Sequence, residues 1–194
     1  MRTPPHLRVL KSNFVHMERR KIDAFVERHS PKTVIAVQGL GFVGAVMSLV
    51  CANAIDGDYA VLGVDLGDEK SRKKIRALND GIFPLKAEDP NIEILFKSSR
   101  QKGNFYATYE EYAYRVADVI IVDINLDVAK IPCPEGGLLD FEVEMEPFRR
   151  AIETIANNCK PDALILVETT VPPGTCTGVV RPLIVAGLMA RGLS

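Results

Sequence analysis

Three glycines stand at the first, third and sixth positions of Gly39-Leu40-Gly41-Phe42-Val43-Gly44. Alone, that spacing is weak evidence, because glycines are common in turns. Its flanks sharpen it. Thr33 to Val37 is a β-branched run that reads as a strand buried on both faces, and Phe42 to Ala54 reads as a helix with an apolar face. Between a strand and a helix the first glycine permits a tight turn, the second lets the backbone approach a pyrophosphate, and the third lets helix and strand pack closely. The free amides and positive dipole end of the helix then favour an anion, by about 0.3 to 1 kcal/mol per interaction. A second strand, Tyr59 to Val64, leads into Asp65, which sits about 20 residues beyond the glycines, where an acceptor for ribose hydroxyls belongs. A carboxylate there repels a 2′-phosphate, and no arginine immediately follows it. The expected cofactor is therefore NAD and not NADP. The competing reading is a plain tight turn, with Asp65 merely capping the helix that begins near Glu69.

The other chemically capable residues point nowhere else. Cys51, Cys133, Cys159 and Cys176 form no C-x-x-C pair and have no histidine at ligand spacing, so reduced thiols are expected and no metal site. Cys51 reads as a small buried hydrophobe within a helix. His6, His16 and His29 all precede the first strand and read as surface or helix-flanking residues. Asp123-Ile124-Asn125-Leu126-Asp127 opens like a calcium loop, but Val128 and Pro134 stand where such a loop needs glycine and glutamate. Glu168 lacks a recognisable titratable partner for general base work. Pro173-Gly174-Thr175 has no P-loop lysine.

These residues need a scaffold, and the chain supplies alternating elements. Lys11 to Arg28 has helical periodicity and stops at Ser30-Pro31. After Asp65 come a charged helix, Glu69 to Leu78, and an apolar stretch at Ile92 to Phe96. Then follow a short strand at Phe105 to Ala107, a helix at Tyr109 to Arg115 and a strong strand at Asp118 to Asp123. Pro132 to Asp140 reads as loop, Val143 to Asn157 as helix, Ala163 to Val167 as strand and Thr175 to Met189 as the last helix. The alternation predicts an α/β fold, a Rossmann-type doubly wound parallel sheet with an added N-terminal helix. The expected division is a helical extension over 1–30 and a dinucleotide-binding domain over 31–194.

Composition closes off other classes. Charged residues are 25% of the chain and the net charge is −1, so there is no basic face for nucleic acid. No apolar run approaches the roughly 20 residues that span a bilayer, and residues 1–10 lack a secretion-signal pattern. A cytoplasmic protein with no membrane partner is expected.

Further segments resemble the UDP-glucose and GDP-mannose dehydrogenase family. They are Gly39 to Gly44, Gly63-Val64-Asp65, Ala117 to Ile121, and above all Glu168-Thr169-Thr170-Val171-Pro172-Pro173-Gly174-Thr175. Gly81 to Phe96, with Pro84, Glu88 and Pro90, is similar to the family's link after the second βα unit. The resemblance covers residues 32–194. It implies oxidation of the C6 alcohol of a nucleotide sugar, a UDP-sugar foremost, to a carboxylate with NAD and a covalent thioester. Full-length members are expected to be homodimers. It assigns Gly39, Gly41, Phe42, Val43, Gly44 and Asp65 to the dinucleotide, Lys70 to the adenosine ribose, and Thr170 to the nicotinamide side, where it helps position water. Thr170 has a plainer reading as a helix-capping hydroxyl. Leu126 stands where the family has a cofactor-binding threonine. The family's active-site cysteine, central lysine and asparagine, and acidic segment correspond to no part of this sequence, so this chain alone is expected to be inactive. Cys176 lacks the glycines and the lysine-aspartate pair of that cysteine segment. The alternatives are another Rossmann oxidoreductase of the hydroxyacid dehydrogenase type, and a non-catalytic NAD-binding module.

Overall fold

The computed structural model describes residues 5–193 apart from 87, 127 and 137. A long helix α1 (Pro5–His29) leads into β1 (Thr33–Gln38), α2 (Phe42–Ala52) and β2 (Tyr59–Val64). Then come α3 (Glu69–Asp80), α4 (Pro90–Lys102), β3 (Phe105–Thr108), α5 (Tyr112–Val116) and β4 (Val119–Val122). A ribbon of β5 (Val128–Pro132) and β6 (Leu138–Val143) precedes α6 (Glu146–Ala156) and β7 (Leu164–Val167). A π-helical segment at Cys176–Val180 and α7 (Arg181–Ala190) complete the order. The main sheet runs β3-β2-β1-β4-β7, and every pairing in it is parallel. Strand order reverses between β1 and β4, which opens a crevice at the carboxyl ends of those strands.

The inner strands β1, β2 and β4 are apolar on both faces because helices cover both, whereas the edge strand β7 leaves Leu164 and Leu166 exposed. On one face Val34, Ala36, Ala60, Leu62, Ile120 and Val122 pack with Phe148, Ile152 and Ile155 of α6. On the other, Ile35, Val37, Val61 and Ile121 meet Ala52 of α2. The C-terminal half of α1 joins the first of these cores through Ile22 and Phe25, both buried. His29 is buried as well, its Nδ1 2.8 Å from the carbonyl of Phe25. His16 is exposed and the side chain of His6 lies outside the described residues.

Two expectations need correction and a third needs refinement. The apolar stretch around Ile92 to Phe96 belongs to a full helix, α4, started by Pro90 and capped by the Asp89 carboxylate on the amide of Asn91. The segment 132–140, read as loop, contains a turn flanked by two antiparallel strands. Gly136, at a φ of 86°, closes that turn with its amide on the carbonyl of Cys133 at 3.0 Å. The clustered prolines masked the strand signal. The last helix runs without a break from Thr175, as expected, but not as one α-helix: Pro182 lacks an amide, and the preceding turn, Cys176–Val180, is π-helical before α7 continues with proline in its first turn. Among the described residues no helix is long and apolar enough to cross a membrane.

Candidate cofactor site

The glycine turn joins β1 to α2 at the crevice. The amide of Gly39 donates to the carbonyl of Val64 at 2.8 Å, tying the turn to the end of β2. Gly39 adopts a φ of 96°, and a Cβ there would lie 1.9 Å from the carbonyl oxygen of Asp123. A Cβ on Gly44 would lie 2.0 Å from the carbonyl oxygen of Gly39, so the third glycine lets α2 sit directly against the turn. Gly41 differs: it has an ordinary φ of −62°, and nothing lies within 4 Å of a Cβ placed on it. That open space belongs to a cavity of 630 Å³ at the strand ends. No side chain caps α2 at Gly41, so the first-turn amides are left for a ligand. A steric gap over free amides at a helix start fits a dinucleotide pyrophosphate.

The cavity brings together Gly39, Gly41, Phe42, Val43, Gly44, Asp65 and Thr170. Lys70 is not among them; it is exposed in the first turn of α3. The cation that reaches Asp65 is Lys74, one helical turn later. Its ammonium pairs with Asp65 Oδ2 and also donates to the carbonyl of Leu40 at 2.7 Å. Asp65 Oδ1 accepts the amide of Leu66 at 2.8 Å. Helical phase marks Lys74 as inward-facing, because it lies three residues after Ser71 and four before Leu78, both buried. Asp65 does not cap α3; Asp68 does, accepting the amide of Ser71 at 3.0 Å. That bond holds the Asp68 carboxyl below its usual range.

Across the crevice, Thr169 fastens β4 to the end of β7. Its hydroxyl accepts the amide of Ile124 at 2.8 Å and donates to the carbonyl of Val122 at 3.2 Å. Thr170, next along, is exposed on the cavity wall. The turn after it is closed by Thr175, whose hydroxyl donates to the carbonyl of Pro172 at 2.7 Å. Leu126 contributes an apolar wall and packs on the main core.

Two acids complete this side. Asp123, just past β4, lines the cavity with a buried Oδ2 that has no hydrogen-bond partner, and burial pushes its carboxyl up. Glu168 is exposed on the same wall, and desolvation and then the Asp123 charge raise it. Glu168 thus has a titratable neighbour that the sequence did not reveal, because it comes from a different strand. None of Cys51, Cys133, Cys159 and Cys176 lines the cavity. Burial, followed by the Glu168 charge, pushes the Cys51 thiol up, which suits packing and not nucleophilic attack. Among the described residues no three His, Cys, Asp or Glu side chains group as metal ligands. The calcium-like segment ends at Asp127, outside the described residues.

Comparison with known proteins agrees with this geometry. The sequence profile described as "UDP-glucose/GDP-mannose dehydrogenase family, NAD binding domain" matches residues 33–191. GDP-mannose 6-dehydrogenase of Pseudomonas aeruginosa is 32% identical over 151 residues, covering 77% of this chain and 31% of that protein. UDP-N-acetyl-D-mannosamine dehydrogenase of Pyrococcus horikoshii is 27% identical over 149 residues, with 77% and 31% covered. The crystal structure of NDP-N-acetyl-D-galactosaminuronic acid dehydrogenase from Methanosarcina mazei Go1 superposes with a TM-score of 0.71 at 27% identity, covering 86% of this chain and 34% of that one. The chain therefore spans about a third of the length of the relatives it matches. A parallel sheet with its switch point at β1 and β4, a glycine turn shaped for a pyrophosphate and a profile match over nearly all of the sheet identify the chain as a member of the UDP-glucose/GDP-mannose dehydrogenase family, comprising its NAD binding domain.

Proposed function

We propose that this chain is the cofactor half of a nucleotide-sugar 6-dehydrogenase acting on the C6 alcohol of a nucleotide sugar, a UDP-sugar foremost. The observation that carries the reading is the glycine turn: all three glycines line the cavity, but a Cβ on Gly39 or Gly44 would meet backbone, and only at Gly41 is the space above the turn free for a ligand. NAD, when bound, supplies the hydride acceptor. The α2 amides hold its diphosphate, Asp65 accepts from the ribose, and Lys74 fixes the Asp65 carboxylate against the turn. Lys70, the residue the resemblance assigns to the ribose, stands exposed one turn away. Thr170 offers a hydroxyl at the opposite wall for orienting water.

The chain by itself does not complete the reaction. Trapping an aldehyde needs a thiolate within about 3 Å of its target, and none of the four cysteines lines the cavity. The test is NADH formation by the purified 194-residue chain, followed by ultraviolet absorbance, with UDP-glucose, UDP-N-acetyl sugars and GDP-mannose in turn. No turnover is expected. Steady turnover that survives replacement of each cysteine contradicts the proposal and favours a hydroxyacid-type dehydrogenase.

A further inference from the structure

The charge around the cavity is one-sided. Its charged lining residues among those described are Asp65, Asp123 and Glu168, with no lysine, arginine or histidine. Asp65 is matched by Lys74 from behind the wall. Asp123 and Glu168 are not matched: neither forms an ion pair among the described residues, and one oxygen of Asp123 is buried without any partner. Two acids facing a site for a diphosphate oppose binding of that diphosphate, so a compensating positive charge on the ligand is the natural complement.

Topology says which part of the ligand they face. A dinucleotide lies across the switch point, with its adenosine half over β2, where Asp65 stands. The other half extends over the ends of β4 and β7, which carry Asp123 and Glu168. In NAD⁺ that half ends in a cationic nicotinamide ring; in NADH the ring is neutral, and the two molecules are otherwise alike in charge.

We infer that Asp123 and Glu168 are specificity-determining residues that make this domain bind NAD⁺ more tightly than NADH. The inference rests on the glycine-turn cavity being the NAD site. Both acids weaken the diphosphate contribution equally for the two forms, so the ratio of affinities isolates their action on the ring. A domain of this kind releases its cofactor after the hydride has been accepted, because reduction removes the charge that these acids favour.

The experiment is calorimetric titration of the whole chain with NAD⁺, NADH and ADP-ribose at neutral pH and low ionic strength. It compares wild type, Asp123→Asn, Glu168→Gln and the double variant. Wild type is expected to prefer NAD⁺ several-fold. Each single variant is expected to lower the NAD⁺/NADH affinity ratio by roughly twofold to tenfold, more for Asp123 because its carboxylate is the more desolvated. ADP-ribose, which lacks the ring, should bind the variants slightly more tightly than wild type. Glu168 is exposed, so its variant is not expected to disturb folding and keeps the test decisive. Equal affinity for the two forms in wild type, or a ratio unchanged by both substitutions, overturns the inference while leaving the cavity as the NAD site. Absence of binding by all three ligands overturns the inference together with the reading of the cavity.

Discussion

At the residue scale the three glycines are not equivalent, and their differences separate folding from binding. Gly39→Ala would force a left-handed φ on an alanine and drive its Cβ into the carbonyl of Asp123. A cost of about 2 kcal/mol or more is expected, lowering the melting temperature by about 5 °C or more. Gly41→Ala meets nothing within 4 Å and keeps an allowed backbone, so its melting temperature should stay within about 2 °C of wild type. Thermal melts of the two variants check this contrast; similar losses in both would show that Gly41 is a structural residue. The glycine turn and Asp65 were readable from the sequence because backbone sterics and a carboxylate at fixed spacing are local properties. Lys74 and Asp123 were not. One required the helical phase of α3, and the other required the packing of β4 against the turn.

Among the elements, β1 and β4 are joined at their starts by a charged clamp. Asp118 accepts the amide of Val34 at 2.8 Å and the ammonium of Lys160 at 2.6 Å. Burial pushes the Asp118 carboxyl up, but the bonds from Lys160 and Val34 and the Lys160 charge outweigh it and hold the group below the ordinary 3.8. A carboxylate lowered in the folded state stabilises above its unfolded pKa and loses that contribution as pH falls through the folded value. The clamp should therefore contribute fully above about pH 5 and fade in the acid range below 3.8. Its worth is about 1 kcal/mol or less, because Asp118 remains 45% exposed and water screens the pair. Asp118→Asn should flatten the acid limb of a stability-against-pH curve measured by urea unfolding; an unchanged limb would mean the clamp is without energetic effect. Asp123 has the opposite sign, since its raised carboxyl costs stability at neutral pH and relieves that cost as pH falls. The regular βα units were legible because buried parallel strands are continuous apolar runs. The β5–β6 ribbon was not, because its strands flank a proline-bearing turn and pair only with each other.

For the whole molecule, the central claim is that a cavity at the switch point holds NAD by a diphosphate over Gly41 and a ribose on Asp65. Sheet order, the glycine turn and the family membership agree on the place. The most direct measurement is calorimetric titration of wild type, Gly41→Ala and Asp65→Ala with NAD⁺ and NADP⁺. Wild type is expected to prefer NAD⁺, and Asp65→Ala to erode this preference with little loss of stability. Gly41→Ala should weaken both cofactors by about tenfold or more, its methyl occupying diphosphate space, roughly 1.4 kcal/mol. Equal affinity of wild type for the two cofactors, or undiminished binding by Gly41→Ala, would contradict the claim.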